Sequence, residues 1–361
     1  MSFRKIAIAR AIAVAGMTLS VVGCGSSSTD EKTQVASAMQ LSMKGDLTTL
    51  WQASVDFAAA APTPTGRGWD PTLDGAAFTA MKAAWIRARE AYEHVEGATA
   101  PIFPDIDVSI DERYDGFLAT LGAAGDADPF DGVGVTGMHA IERILYSDVI
   151  PADVVMFETS LPGNRPAAFP ITEAQAAEFK TGICAKLVTD SKTLLDDWTP
   201  QQIDVSGAFQ GLVGLMNEQQ EKVNKAASGE EESRYSQRTM ADLRANLDGT
   251  TKIYGLFSDW LKSKPAGAVP GIAASGATID ASINAGFTSL GGVYGTITGD
   301  AIPAPPATWS AEAPSPADLQ SPFGMLYEAV HNAVDPNMPG SVVDQMKQGA
   351  TVLGIPVFTD E

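Results

Sequence analysis

Apolar residues recur along this chain at spacings of three and four, whereas the alternation of apolar and polar residues that strands need is scarce. The clearest run ends before Pro265 and consists of Met240, Leu243, Leu247, Thr250, Tyr254, Phe257 and Leu261. Such a 3-4 repeat places its side chains along one face of a helix. The pattern predicts an all-α protein with a long bundle helix over residues 240–261.

The same periodicity predicts nine further helices, whose ends are defined to within several residues. They cover residues 33–60, 74–97, 106–121, 134–146, 172–198, 205–226, 278–292, 317–333 and 341–352. Proline-rich breaks at 61–66, 161–166, 199–200 and 303–316 predict loops. The break at Pro200 divides the chain into a first helical unit, 33–200, and a second, 201–361. Each has enough helices for a four-helix unit, but no exact sequence repeat relates them.

The first two dozen residues have the pattern of an export signal. Basic residues at Arg4, Lys5 and Arg10 precede an apolar run, and small residues lead to Cys24. This predicts a lipoprotein signal peptide at 1–23, a lipidated Cys24, a flexible tether over 24–32, and a location in the periplasm or at the cell surface. A plain cleaved signal and an uncleaved anchor are the alternatives, although the run is short for a membrane span.

Composition narrows the choice of partners. The chain has 24 Lys and Arg against 44 Asp and Glu, a formal charge of −20, which becomes −23 when the basic signal segment is removed. Nucleic acid is therefore excluded as a partner, because binding to phosphates requires basic surfaces. With Cys24 acylated, Cys184 has no intramolecular partner, so the fold is predicted not to depend on a disulfide.

The first candidate metal ligands are His139 and Glu142, in a chain that has 3 histidines. Three residues along a helix correspond to about 300° of rotation and ~4.5 Å of rise, so both side chains point the same way and can share one cation. A structural histidine that hydrogen-bonds a neighbouring carboxylate explains the same pair.

A second pair, Glu93 and Glu96, repeats this spacing. Glu96 falls on the apolar side of its predicted helix, so it lies either at a frayed end capped by Gly97 or towards a polar cavity in the bundle. Arg89 lies between the two glutamates on the helical wheel, so an internal Arg89–carboxylate pair is an alternative to a metal site. His94 is predicted to lie at the surface.

Between these helices, Asp105, Asp107 and Asp111 do not fit the spacing of a calcium loop, and they predict either helix caps or, for Asp111, a further oxygen ligand. Carboxylates with one imidazole suit iron, manganese and zinc. The two Glu-x-x-His motifs of dinuclear carboxylate proteins are missing, which disfavours oxidase chemistry. No motif for a catalytic nucleophile or a zinc triad is present.

These motifs resemble a known family. The stretches 88–97, 137–143, 229–236 and 242–249 read AREAYEHVEG, GMHAIER, GEEESRYS and DLRANLDG. Together they are similar to the imelysin-like proteins and, within them, to the EfeO/EfeM-type iron-uptake lipoproteins, over about 35–262. The Gly-x-His-x-x-Glu element is the most specific part of the resemblance.

The resemblance implies two four-helix-bundle halves with a cleft between them, exported and attached to the membrane through the lipid anchor alone. It also implies that iron is passed to an inner-membrane iron permease and its associated uptake components. The family's metal-site residues correspond here to His139 and Glu142, Glu93 and Glu96, Asp111 and Glu218.

Two departures limit this transfer. Many relatives have Tyr-Ser-His where this chain has Tyr235-Ser236-Gln237, so an imidazole is missing from the second half. No N-terminal cupredoxin-like domain is found, so the chain resembles the short form of the family, and oxidation of Fe(II) at a copper centre is not expected.

The leading hypothesis is therefore a non-enzymatic metal-binding lipoprotein of an iron-uptake system. Iron is the expected cation, with zinc, copper or calcium as alternatives. Two other functions stay open: an imelysin-type metallopeptidase, and a cell-surface module that binds a polymer or partner protein and holds a structural cation.

Overall fold

The structure is a computed structural model that describes residues 28–356, so the predicted signal segment and Cys24 lie outside the described residues. Within that range the regular structure is helical and contains no β-strand, which confirms the all-α prediction. None of its helices is both long and apolar enough to cross a membrane.

Fifteen α-helices occur within residues 28–356. They are α1 (Ser28–Ala60), α2 (Gly75–Glu93), α3 (Glu96–Thr99), α4 (Pro104–Asp111), α5 (Tyr114–Leu121), α6 (Gly137–Leu145), α7 (Ala152–Thr159), α8 (Glu173–Phe179), α9 (Ala185–Asp197), α10 (Val205–Lys225), α11 (Thr239–Lys262), α12 (Gly276–Gly295), α13 (Pro316–Leu319), α14 (Pro322–Val334) and α15 (Val342–Leu353).

Two groups of helices pack around one continuous apolar core. Helices α1, α2, α4, α6 and α9 contact one another in a ring, and α10, α11, α12, α14 and α15 form the second group. The groups meet where α11 packs on α1 and α2, and the short helix α3, which follows α2, packs on α10 and α11. These contacts surround the polar centre described below. A division into two bundles at residue 200 stays a prediction.

Helix α11 shows how the sequence forms these elements. All seven residues of the 3-4 run over 240–261 are buried, each at most 6% exposed. The long apolar face therefore turns inward along its whole length, as its periodicity requires.

Helix α7 was not predicted. It has eight residues, and the two that it buries are Val154 and Glu158. Its apolar residues stand in one consecutive run, Val154 to Phe157, which shows no three-and-four spacing, and Met156 is 71% exposed. The helix packs on the segment that follows α10.

Two predicted helices are interrupted near the polar centre. The helix expected over 74–97 ends at Glu93, and a new short helix begins at Glu96. Gly249 of α11 approaches this turn so closely that a Cβ there would lie 2.2 Å from the carbonyl oxygen of His94. The helix expected over 106–121 breaks at the extended residues Glu112 and Arg113.

The first helix begins earlier than predicted. Helix α1 starts at Ser28, so residues 28–32 of the expected tether are helical. The Lys32 ammonium donates a hydrogen bond to the hydroxyl of Ser206, 3.1 Å away. This contact links the start of α1 to the start of α10.

Candidate metal centre

Helix α6 positions the histidine of the centre. Its first residue, Gly137, has a φ of 82°, and a Cβ there would lie 2.4 Å from the carbonyl oxygen of Ile110. Only glycine adopts this conformation at such close approach without strain. The start of α6 therefore lies directly against the end of α4, which brings His139 next to Asp111.

Glu142 orients the imidazole. Its Oε2 lies 3.1 Å from His139 Nδ1. Its Oε1 accepts hydrogen bonds from the backbone N–H of Ser236 at 2.8 Å and from the Ser236 hydroxyl at 2.6 Å. Both carboxylate oxygens are thus engaged, and His139 is held with its other nitrogen, Nε2, turned towards α4.

The Nε2 atom of His139 is buried and has no hydrogen-bond partner among the described residues. It faces two carboxylate oxygens, Oδ1 of Asp111 at 3.6 Å and Oε1 of Glu232 at 4.0 Å. One ligand atom from each of these three residues lies within 4.8 Å of the others. Two atoms bound to one ion at about 2.1 Å are about 3 to 4 Å apart, so this arrangement fits a metal ion.

Arg89 of α2 lies among the same carboxylates and is 1% exposed. It forms ion pairs with Asp111 and Glu93, and its Nη2 lies 3.2 Å from Glu232 Oε1. Its Nε lies 3.6 Å from Asp242 Oδ1. The internal arginine–carboxylate pair that the sequence allowed is present, and it involves four carboxylates.

Glu93 and Glu96 meet at Asn246. The amide of Asn246 donates hydrogen bonds to Glu93 Oε2 at 2.6 Å and to Glu96 Oε2 at 2.9 Å. Lys222 approaches from α10, with its ammonium 2.9 Å from Glu232 Oε2 and 3.6 Å from Glu96 Oε2. The two glutamates are therefore connected to the His139 group through Lys222 and Arg89.

An open cavity of about 490 Å³ leads to the centre. We call it the acidic cavity, because its carboxylates outnumber its basic groups. The charged residues of its wall are Glu96, Asp107, Asp111, Glu112, Glu218, Glu221 and Glu232, with Arg113, Lys222 and Lys225. Glu218 lies on this wall, but no contact joins it to His139.

Burial controls the protonation of the imidazole and its partner. Burial and then the nearby positive charge of Arg89 lower the pKa of His139 well below its usual value. Burial also raises the pKa of Glu142 to about 8. His139 is consequently neutral at physiological pH, the state in which an imidazole binds a metal.

The two carboxylates that face His139 differ in their pKa values, because their charge partners differ. Burial alone would raise the pKa of Glu232, but Lys222 and Arg89 lower it well below its usual value. For Asp111, burial dominates over the attraction of Arg89, and the pKa is raised. Glu232 is therefore held in its ionised form, whereas Asp111 takes up a proton more readily than an ordinary aspartate.

The structure brings together His139, Glu142 and Asp111 of the six residues predicted for the site. Glu93 and Glu96 do not contact His139 but are connected to its group through Arg89 and Lys222, and Glu218 lies on the cavity wall. The roles of all six as metal ligands stay predictions.

Glu232 was not among the predicted ligands. It lies in the 229–236 stretch that carried part of the resemblance, and that run of glutamates was its signal in the sequence. The neighbouring Gln237 has a φ of 57°, and its amide donates to Glu231 Oε1 at 2.7 Å. Gln237, at which this chain departs from the family resemblance, thus supports this loop.

Comparisons with known proteins agree with this architecture. The profile of the imelysin family (peptidase M75) matches residues 43–302. Proteins of Staphylococcus aureus strains MSSA476 and NCTC 8325 named EfeM/EfeO family lipoproteins are 30% identical over 183 residues, 51% of this chain and 51% of each relative. The chain therefore matches about half the length of these curated relatives.

A solved structure shows the same fold. The crystal structure of an imelysin-like protein from Psychrobacter arcticum 273-4 superimposes with a TM-score of 0.56, covering 94% of this chain and 100% of that one. The two sequences are 16% identical, so this likeness concerns the fold.

Proposed function

This chain belongs to the imelysin family, and from that premise we propose that it is an exported, lipid-anchored protein that binds iron for an iron-uptake system. The observation that carries the proposal is the unpartnered Nε2 of His139, buried and directed at two carboxylates. A buried polar atom without a partner costs free energy, which a bound cation would recover.

Asp111, His139 and Glu232 are the proposed direct ligands. Two carboxylates and one neutral imidazole suit iron, and they also accept manganese or zinc. Glu142 holds the imidazole from behind, as carboxylates commonly do at metal sites. The acidic cavity, including Glu96 and Glu218, attracts cations towards these ligands.

The balance of charge favours a multivalent cation. Arg89 and Lys222 together contact five carboxylates, those of Glu93, Glu96, Asp111, Glu232 and Asp242. With all five ionised, this buried cluster has three negative charges in excess. Protons can neutralise part of that excess in the metal-free protein, and a divalent or trivalent ion can replace them.

Metal titration of the chelator-stripped protein tests the proposal. Iron, zinc, manganese, copper and calcium would be titrated into the wild type, His139→Ala and Glu232→Gln. We expect tight binding of one ion in the wild type and much weaker binding in both variants. The half-exposed His331 of α14 provides a control, because His331→Ala leaves the centre intact. Unchanged stoichiometry and affinity in both site variants would exclude this site.

Passing the metal to an inner-membrane iron permease is part of the same proposal and rests on the relatives' names and on the predicted lipid anchor at Cys24. The peptidase alternative requires a carboxylate free to activate water. Glu142 is the nearest candidate, but it already accepts two hydrogen bonds from Ser236 and contacts His139. Metal-dependent cleavage of casein that His139→Ala abolishes would support the peptidase instead.

A further inference from the structure

Arg89 contacts the oxygen atoms that the proposed metal ion needs. We propose that its guanidinium and the metal ion compete for the same carboxylates, so that metal uptake exchanges one cation for another. The inference rests on the proposed function and adds to it a residue that sets affinity and selectivity.

Arg89 and the metal ion would compete for the same two oxygen atoms. Oδ1 of Asp111 accepts from Arg89 Nη1 and is also the atom that faces His139 Nε2. Oε1 of Glu232 lies 3.2 Å from Arg89 Nη2 and 4.0 Å from the same imidazole nitrogen. A metal ion bound to these two oxygens would lie beside the guanidinium, and the two positive charges would repel.

Burial makes that repulsion effective. The side chains of Arg89, Asp111 and Glu232 are 2%, 9% and 8% exposed. Charges that are shielded from solvent are screened much less by water and salt than charges at the surface. The guanidinium therefore opposes the incoming ion for as long as it remains in place.

A second cavity gives the guanidinium room to move. It has a volume of about 410 Å³ and includes Arg89 and Asp242 in its wall, together with Glu90 and Asp248. Among residues 28–356, Arg89 Nε has no hydrogen-bond partner, and it lies 3.6 Å from Asp242 Oδ1 on this side. Arg89 thus lies between the second cavity and the ligands that line the acidic cavity.

The consequence concerns selectivity and release. A monovalent ion gains too little from Asp111 and Glu232 to displace a guanidinium that already binds both. A multivalent ion gains more, because the attraction grows with its charge. The same opposition keeps the affinity moderate, which suits a protein that must later give up its cargo.

Removing the charge of Arg89 tests the exchange. We expect Arg89→Met to bind the metal that the wild type prefers roughly tenfold or more tightly, in calorimetric titration of the chelator-stripped protein. Arg89→Lys, which keeps the charge, should stay close to the wild type. Arg238→Met is the matched control: Arg238 lines the second cavity and pairs with Asp300, and it has no contact with Asp111 or Glu232.

A purely structural role for Arg89 predicts the opposite result, because ligands that lose their support bind metal more weakly. Affinity of Arg89→Met equal to or below that of the wild type therefore overturns the exchange. If this variant does not fold, Arg89→Met/Asp242→Asn removes one unpaired carboxylate and leaves the three ligands unchanged.

A crystal structure of the metal-loaded wild type provides a second, independent measurement. The exchange requires the guanidinium to have moved off Asp111 and Glu232. A guanidinium that still contacts both oxygens beside the bound ion overturns the exchange but leaves the metal site standing. Absence of metal binding in both the wild type and Arg89→Met overturns the proposed function together with this inference.

Discussion

Two buried arginine clusters meet at helix α6, and they are built differently. In the first, Arg143 forms hydrogen bonds of 2.9 to 3.1 Å to both carboxylate oxygens of Glu158. The Tyr235 hydroxyl donates to the same carboxylate, and the guanidinium lies over the ring of Tyr114, 3.9 Å from its centroid. One positive charge meets one negative charge.

The second cluster surrounds Arg89 and is not balanced. Four carboxylates surround one guanidinium, and His139 Nε2 next to them has no hydrogen-bond partner in the described part of the chain. Both clusters share α6 and the loop 229–238, so they experience similar packing. The difference lies in charge balance: Arg143 and Glu158 neutralise each other, whereas the Arg89 cluster has the excess of carboxylates that the proposed cation would offset.

The largest predicted effect is the loss of stability when the Arg143–Glu158 ion pair of the balanced cluster is broken. Arg143→Met leaves the Glu158 carboxylate buried without its partner, and we expect a loss of about 3–5 kcal/mol in the free energy of unfolding, measured with urea. Arg87→Met is the matched control, because Arg87 forms an exposed ion pair with Asp56 and its side chain is 48% exposed. That variant should lose less than ~1 kcal/mol.

The double variant Arg143→Met/Glu158→Leu tests whether the loss comes from the unpaired charge or from packing. Replacing both partners of a buried ion pair with apolar side chains restores much of the stability that a single substitution removes. A double variant as unstable as Arg143→Met would show that the loss comes from packing, and the contrast between the two clusters would weaken.

The second prediction concerns the support of the imidazole. Glu142→Gln replaces the group that contacts His139 Nδ1 with an amide, which cannot lose a proton to become the anion that supports a metal-bound imidazole. We therefore expect metal affinity to fall by roughly 10–100-fold with little change in stability. Isothermal titration calorimetry measures the affinity and urea unfolding the stability. Glu328→Gln, at an exposed position of α14, should change neither. A Glu142→Gln protein that binds metal as tightly as the wild type would contradict the assigned role.

The third prediction concerns how metal affinity at the Arg89 cluster depends on pH. Burial raises the pKa of Glu142 to about 8 and the pKa of Asp111 above its usual value, so protons compete with the metal at neutral pH. Affinity should therefore increase with pH up to about 8, by at most about tenfold per unit for each proton displaced.

Calorimetry in buffers that differ in ionisation enthalpy counts these protons directly. We expect proton release on metal binding, and less release for Glu142→Gln. Binding without any proton release between about pH 6 and 8 would mean that the cluster is already ionised and balanced in another way.

The sequence predicted these regions with unequal success, for physical reasons. Helix α11 could be predicted because burial along one face imposes a period over many turns. The turn after Glu93 could not, because it depends on the close approach of Gly249 from a distant helix. Glu232 was missed because it lies in a loop without a period and meets Arg89 across 143 residues, where spacing carries no information.

The smallest effect is expected at His94, which was predicted to lie at the surface. Its side chain is 22% exposed, with Nδ1 3.5 Å from Asp46 Oδ1 and Nε2 3.7 Å from Asp248 Oδ2. The hydrogen bond to Asp46 outweighs burial and raises the pKa of His94. Unlike His139, whose pKa is lowered, this histidine becomes charged readily and contributes to stability as a cation.

Because the folded pKa of His94 is raised, its contribution is complete below its unfolded pKa of about 6.5 and is lost as the pH rises through the folded pKa. We expect His94→Gln to lose less than ~1 kcal/mol in urea unfolding at about pH 6, since the site is partly screened by solvent, and nothing at about pH 9. His331→Gln serves as the control for a histidine substitution elsewhere in the chain. A His94→Gln deficit that is the same at both pH values would show that the imidazole acts through packing, and the contrast between a charged and a neutral histidine would no longer hold.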